Sequence, residues 1–343
     1  MTINLSDIRL TPISDSVYRK KISDEVYFSS EYSDFISNSR LKLMNPEIPG
    51  HGPLKYQEGF SNEFNQGFVL GSAIHELLLE PEEFRLIEDL DKPGFKLGQV
   101  IDLIIQYRKE KYTIQDSIYK ACSEVHYYEN IIKSKIPFII KNGFKYYWLS
   151  KGYNSTDIIL SLRDRNIVNT CLYNLKANRQ VKNLINPTDI FGDPILSYNE
   201  DAFFITLNGT YQDKSCQLKL KMKADNWSID LDNKIITLND LKTTSSMIPD
   251  FMESSFEHFY YYQQFAFYSW ILRRFAEKEY GFNKEEWTFN CNVIVVSTKG
   301  EHNTGVFKIS SDHLERGRKL FCKLLKMVAF CEMNGYSDEY TFI

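Results

Sequence analysis

Apolar and polar positions change their period twice along this chain. Residues 1–60 are rich in Ser, Asn and Pro and end in Pro46-Glu-Ile-Pro-Gly-His-Gly-Pro53, which predicts an arm of short helices and a loop. Residues 67–90 have helical spacing, with Gly67 and Gly71 giving a small-residue face. From 97 to 186, apolar positions such as Ile101, Ile104, Ile105 and Tyr107 recur at helical intervals. Alternation then replaces the helical period. Ala202–Leu207 leads into Asn208-Gly209, a turn dipeptide. Cys216–Asp225 places Leu218, Leu220, Met222 and Ala224 on one face, and Lys219, Lys221, Lys223 and Asp225 on the other. Lys234–Lys242 reads as the next strand, after a turn at Asp232-Asn233. An aromatic helix at 255–278, a buried strand at Phe289–Val296 and an amphipathic closing helix at 311–334 follow. The expected fold is α/β: a central mixed β-sheet flanked by helices, behind a largely helical N-terminal half. The expected organisation is a single domain over 1–343, with an arm at 1–60, a helical part at 61–195 and a catalytic α/β core at 196–343.

Composition narrows this reading. Six cysteines lie far apart with no CxxC pair, which argues against a disulfide framework or a cysteine-rich zinc knuckle. No apolar run reaches membrane-spanning length, and the first residues lack the basic and apolar regions of a secretory signal. The expected location is a reducing cytoplasm, with no membrane partner. A net charge of −4 does not advertise nucleic-acid binding. Basic residues nevertheless cluster locally, at Lys133, Lys135, Lys141 and Lys145, at Lys219, Lys221 and Lys223, and along Arg316, Arg318, Lys319, Lys323 and Lys326. The 22 Tyr and 24 Phe suffice to fill a core and still leave rings for base stacking.

The candidate chemistry lies in the alternating region. A turn centred on Asp232-Asn233 sets Asp225 opposite Asp240, with their Cβ atoms about 5 Å apart on one sheet face. Like charges at that distance call for a cation, and Mg²⁺ takes a few carboxylates together with waters and phosphates. Lys242, two residues past Asp240, shares its face and is suited to assist a metal-bound water. Taken alone, Asp-Leu-Lys equally describes a solvated strand edge. Gln264 and Tyr268, spaced i, i+4, share one helix face among core aromatics, where a buried amide needs partners. His75, in Gly71-Ser-Ala-Ile-His75, is either a packed core histidine or a neutral imidazole ligand completing the metal site.

Four segments, Gly71–Glu82, Lys223-Ala-Asp225, Asp240-Leu-Lys-Thr-Thr244 and Gln264-Phe-Ala-Phe-Tyr268, stand in the order found in PD-(D/E)xK nucleases. The chain resembles the RecB-like branch of that superfamily, and within it exonuclease VIII (RecE) and its phage relatives. Phe35–Leu41 is similar to the branch's S-x-x-L entry. The resemblance implies a restriction-endonuclease-like core, with His75, Asp225, Asp240 and the Leu241 carbonyl as metal ligands. It also implies Lys242 as the catalytic lysine, and Gln264 and Tyr268 as the Q-x-x-x-Y pair. The implied activity is a Mg²⁺-dependent exonuclease, with Mn²⁺ substituting, that resects double-stranded DNA ends for recombination or repair. A single-strand annealing protein and a homo-oligomeric ring are implied partners, in a bacterial or phage-infected cell. The cysteine spacing does not support the iron–sulfur cluster of some relatives. Two other readings stand beside this one: a structure-specific or nicking endonuclease on the same core, and a non-catalytic DNA-binding protein that keeps the fold.

Overall fold

In this computed structural model, residues 1–60, 66–82, 86–87, 93–151, 158–160 and 162–343 are described. The chain divides into two compact units. One comprises Met1–Phe64, Leu77–Glu80 and Cys171–Ile343, and the other Asn65–Glu76 and Pro81–Thr170.

The first unit is built on a seven-stranded sheet. Its strands are β2 (Arg9–Pro12), β3 (Tyr18–Lys21), β6 (Leu196–Tyr211), β7 (Lys214–Asp230), β8 (Ile235–Thr244), β9 (Thr288–Ser297) and β10 (Thr304–Lys308). They run in the order β10-β9-β8-β7-β6-β2, with β3 also on β6. All neighbours are antiparallel except β8 and β9, whose parallel pairing requires the crossover helix α10 (Tyr261–Tyr280). The sheet is therefore mixed, as expected. A short parallel pair, β1 (Thr2–Ile3) with β11 (Thr341–Phe342), ties the chain ends together.

Helices α1 (Asp24–Tyr27), α2 (Asn38–Lys42), α3 (Pro53–Glu58), α9 (Arg179–Ile185), α10 and α11 (Ser311–Asn334) belong to this unit. Its core joins Phe203, Leu220, Trp227 and Ile236 of the sheet to Phe265, Leu272, Phe321 and Leu325 of α10 and α11. Gly317 sets the approach of the last two helices, because a Cβ there would lie 2.0 Å from the Tyr262 carbonyl oxygen. α11 matches the expected closing helix, capped by the Ser310 hydroxyl on the His313 N–H.

The second unit contains α5 (Phe95–Lys109), α6 (Ile114–Glu124) and α7 (Ile132–Lys151), with β4 (Leu86–Ile87) parallel to β5 (Ile158–Ile159). Val100, Ile101, Ile104, Ile118, Cys122 and Ile139 form its own core. Helix α4 (Gln66–Leu79) starts in this unit and ends in the first, as does α8 (Leu162–Ala177). Among the described residues, no helix is long and apolar enough to cross a membrane.

Three expectations change. The helix expected over 67–90 ends at Leu79, since Pro81 disfavours helical backbone at the residue before it. Part of that range, 83–85 and 88–90, lies outside the described residues. Asn208-Gly209 is not a turn. β6 runs through it, and the chain reverses at Gln212-Asp213, where Gln212 has φ 53°. Gly209 serves close packing instead, for a Cβ there would lie 2.9 Å from the Cys216 sulfur and 3.2 Å from the Ala329 Cβ. The aromatic helix begins at Tyr261 rather than 255, after a π-helical turn at Met252–Phe256 and a left-handed Tyr260 at φ 56°.

Candidate metal centre

The site grows from a break in strand alternation. On β7, Leu218, Leu220, Met222 and Ala224 enter the core, and then Trp227 and Ile229 do. The inward face thus passes from even to odd positions at Asp225-Asn226, which the strict alternation expected up to Asp225 did not foresee. β6 reverses at the same level, with Phe203, Ile205 and Leu207 in the core and Tyr198 packed against it. Between them lies Glu200, at φ 52°. The register holds on both sides of the break, with Asn199 opposite Asn226 and Asp201 opposite Ala224, so Glu200 lies across from Asp225. A non-glycine residue in the left-handed region costs about 1 kcal/mol or more. This one sits beside the carboxylates.

β7 and β8 part at the same place. Their pairing runs from Asp230 opposite Ile235 to Asn226 opposite Asn239, the register expected from the Asp232-Asn233 turn. One step on, Asp225 Oδ2 accepts the Leu241 N–H at 2.7 Å, a side chain replacing the next backbone rung. Asp240 is 2% exposed. Its Oδ1 accepts from Gln264 Nε2 at 2.8 Å, and its Oδ2 forms an ion pair with Lys242. The Lys242 ammonium lies 5.2 Å from the centroid of the Tyr261 ring. A Glu200 oxygen lies within 4.8 Å of an Asp225 oxygen, and Glu200 Oε2 is 3.0 Å from the Lys223 ammonium, which also pairs with Asp24.

Burial, and then the charge of Asp240, raise the Asp225 pKa, against the opposing pull of Lys242 and the Leu241 N–H. Burial works to lower the Lys242 pKa, but Asp240 and Asp225 outweigh it and hold the ammonium protonated. The Tyr268 phenol is pushed well above its usual range by burial, and further by Tyr27, Asp240, Asp225 and Glu200. Tyr268 therefore stays a neutral hydroxyl near the carboxylates. A Glu200 oxygen and an Asp225 oxygen come together, with Asp240 near enough to Asp225 to raise its pKa, and such hard oxygen donors fit Mg²⁺ or Mn²⁺.

Behind the carboxylates, a chain of side-chain amides crosses four strands. Asn292 donates to Asn239 at 3.0 Å, Asn239 to Asn226 at 2.7 Å, Asn226 to Asn199 at 2.8 Å, and Asn199 to the Leu79 carbonyl at 2.9 Å. Asn226 and Asn239 are the strand neighbours of Asp225 and Asp240, and both are buried.

The first unit thus brings together Asp225, Asp240, Lys242, Gln264 and Tyr268, with the Leu241 backbone at the fork. His75 lies on α4 in the part assigned to the second unit, half-buried and one turn before Leu79. Sequence reasoning missed Glu200 and Tyr261. The β6–β7 hairpin held the signal for Glu200, because a reversal at Gln212-Asp213 sets it across from Asp225.

The architecture is a mixed α/β fold with a central sheet flanked by helices. Neither a family model nor a curated protein matches the sequence. Among solved structures, the chain is similar to the crystal structure of a candidate exonuclease from Eubacterium rectale. The identity is 11%, the TM-score is 0.44, and the match covers 90% of this chain and 86% of the other.

Proposed function

We propose that this chain is a metal-dependent deoxyribonuclease, an exonuclease that acts on the ends of double-stranded DNA. The observation that carries this reading is the fork of β7 and β8. It sets Asp225 beside Asp240, with the Lys242 ammonium on one Asp240 oxygen and the Gln264 amide on the other. Asp225, Asp240 and the Leu241 carbonyl would hold the cation, with Glu200 as a further oxygen donor. A divalent cation in such a site neutralises phosphate charge and acidifies water.

The side chains have separable tasks in this reading. Gln264 fixes the rotation of the Asp240 carboxylate, so that its lone pairs keep one direction. Lys242, held protonated by two carboxylates, offsets the charge of an incoming phosphate and orients the attacking water. Tyr268 stays a hydrogen-bond donor at any physiological pH.

Digestion of end-labelled linear duplex and covalently closed circular DNA, with Mg²⁺ or with EDTA, tests the proposal. Nucleotides released from linear duplex alone, and only with metal, are expected. Cutting of closed circles would replace the exonuclease with an endonuclease. No metal-dependent release from either substrate would leave a DNA-binding protein without catalysis.

A further inference from the structure

The turn preceding α10 carries a second cluster that touches the site through one ring. Tyr261, whose centroid is 5.2 Å from the Lys242 ammonium, lies 5.8 Å from the Phe259 ring. Phe259 is 47% exposed, whereas Phe251 and Phe256 of the same turn are fully buried. The π-helical turn and the left-handed Tyr260 hold it outward. Exposing an apolar ring forgoes burial energy, and this one stands a single ring away from the Lys242 ammonium.

The cation beside it points the same way. Lys42 Nζ donates to the Phe259 carbonyl at 2.8 Å and stands 5.8 and 5.6 Å from the Phe259 and Tyr260 rings. Among the described residues no carboxylate pairs with Lys42. Arg316, by contrast, is engaged by Glu257 just before this turn. Lys42 is also half-buried, and desolvation lowers its pKa, so an anion would relieve an existing cost. An exposed ring and an ammonium without a carboxylate partner among the described residues, side by side, match the two halves of a nucleotide: a flat base and a phosphate.

Resting on the nuclease reading, we propose that Phe259 and Lys42 form a nucleotide subsite adjoining the metal centre, where an unpaired DNA base stacks on Phe259 while its phosphate meets Lys42. Bases within a duplex are already stacked on their neighbours, so the subsite selects a frayed end or a single-stranded extension over an intact blunt duplex.

Binding of fluorescently labelled DNA, with Ca²⁺ in place of Mg²⁺ to prevent hydrolysis, tests this. Phe259→Ala weakens binding of a short single strand by about tenfold, the scale of one lost base–aromatic stack, and blunt duplex by much less. Phe259→Trp keeps the affinity. A 2-aminopurine at the strand end is quenched by the wild type and not by Phe259→Ala. Lys42→Ala lowers the slope of log affinity against log salt by about 0.7 for a single strand. Calorimetric Mn²⁺ binding stays the same in all variants. A Phe259→Ala protein that binds and quenches single strands like the wild type overturns the subsite and leaves the nuclease reading standing. A wild type that binds neither single nor double strands overturns both.

Discussion

Asp240 is almost without contact with water, and its two oxygens are engaged by Gln264 and Lys242, so removing any member of the trio should have a distinct signature. If the proposed function holds, Asp225→Ala or Asp240→Ala abolishes cleavage while DNA binding largely survives, because each would delete a proposed metal donor rather than a phosphate contact. Wild-type rates in either variant would dismiss the two-carboxylate centre. Lys242→Ala lowers turnover by roughly 10²-fold with Mn²⁺ affinity little changed, as expected of electrostatic assistance. Full turnover at saturating metal would remove that role. The neighbourhood of Asp225 and Asp240 was legible in the sequence because a two-residue polar turn fixes the register of β7 and β8, whereas Gln264 was singled out as an amide on an aromatic helix face and by resemblance. Glu200 was not legible, for Asn208-Gly209 is a better turn signal than Gln212-Asp213. Packing against Ala329 decided where the glycine belongs. His75 could be placed only by resemblance, since no periodicity connects a helix with a strand 150 residues away.

Strand β7 and its neighbours carry two further consequences. Lys221 is buried, with its ammonium donating to the carbonyls of Tyr27 and Tyr32, and burial, aided by the charge of Arg40, lowers its pKa to about 8. The unfolded value is near 10.5. Between those two pH values the unfolded chain binds more protons than the folded one, so this residue adds stability as pH rises, and nothing further below 8. The urea midpoint of the wild type, measured relative to Lys221→Met, should therefore climb from pH 8 to 10. A constant difference across that range would contradict the lowered pKa. At the α10–α11 contact, Gly317→Ala has no room before the Tyr262 carbonyl and should cost about 1–3 kcal/mol in thermal unfolding. An unchanged melting temperature would mean that the two helices separate freely. Helical period marked α11 to the residue. The start of α10 was misplaced because a π-helical turn keeps aromatic residues in a pattern that resembles ordinary helix.

At the scale of the whole molecule, the described residues form one large core around the sheet and another among α5, α6 and α7, with a small cluster of Tyr27, Tyr32 and Phe204 besides, although the hydrophobic pattern reads as a single continuous domain. Periodicity assigns a residue to an element's inner face without saying which core that face enters. The amide chain from Asn292 to the Leu79 carbonyl has a consequence for motion. Four central strands are bolted through their side chains as well as their backbones, so no one of them can open alone without stranding a buried amide. Backbone N–H groups of Asn226, Asn239 and Asn292 should trade hydrogen for deuterium only when the entire first unit unfolds, at one shared rate that follows its global stability. The short outer strand β2 should exchange by local fraying, orders of magnitude sooner. If the three asparagines instead exchanged at separate, denaturant-independent rates, the strands would be breathing singly, and the fork that carries Asp225 and Asp240 would be a flexible jaw rather than a fixed one.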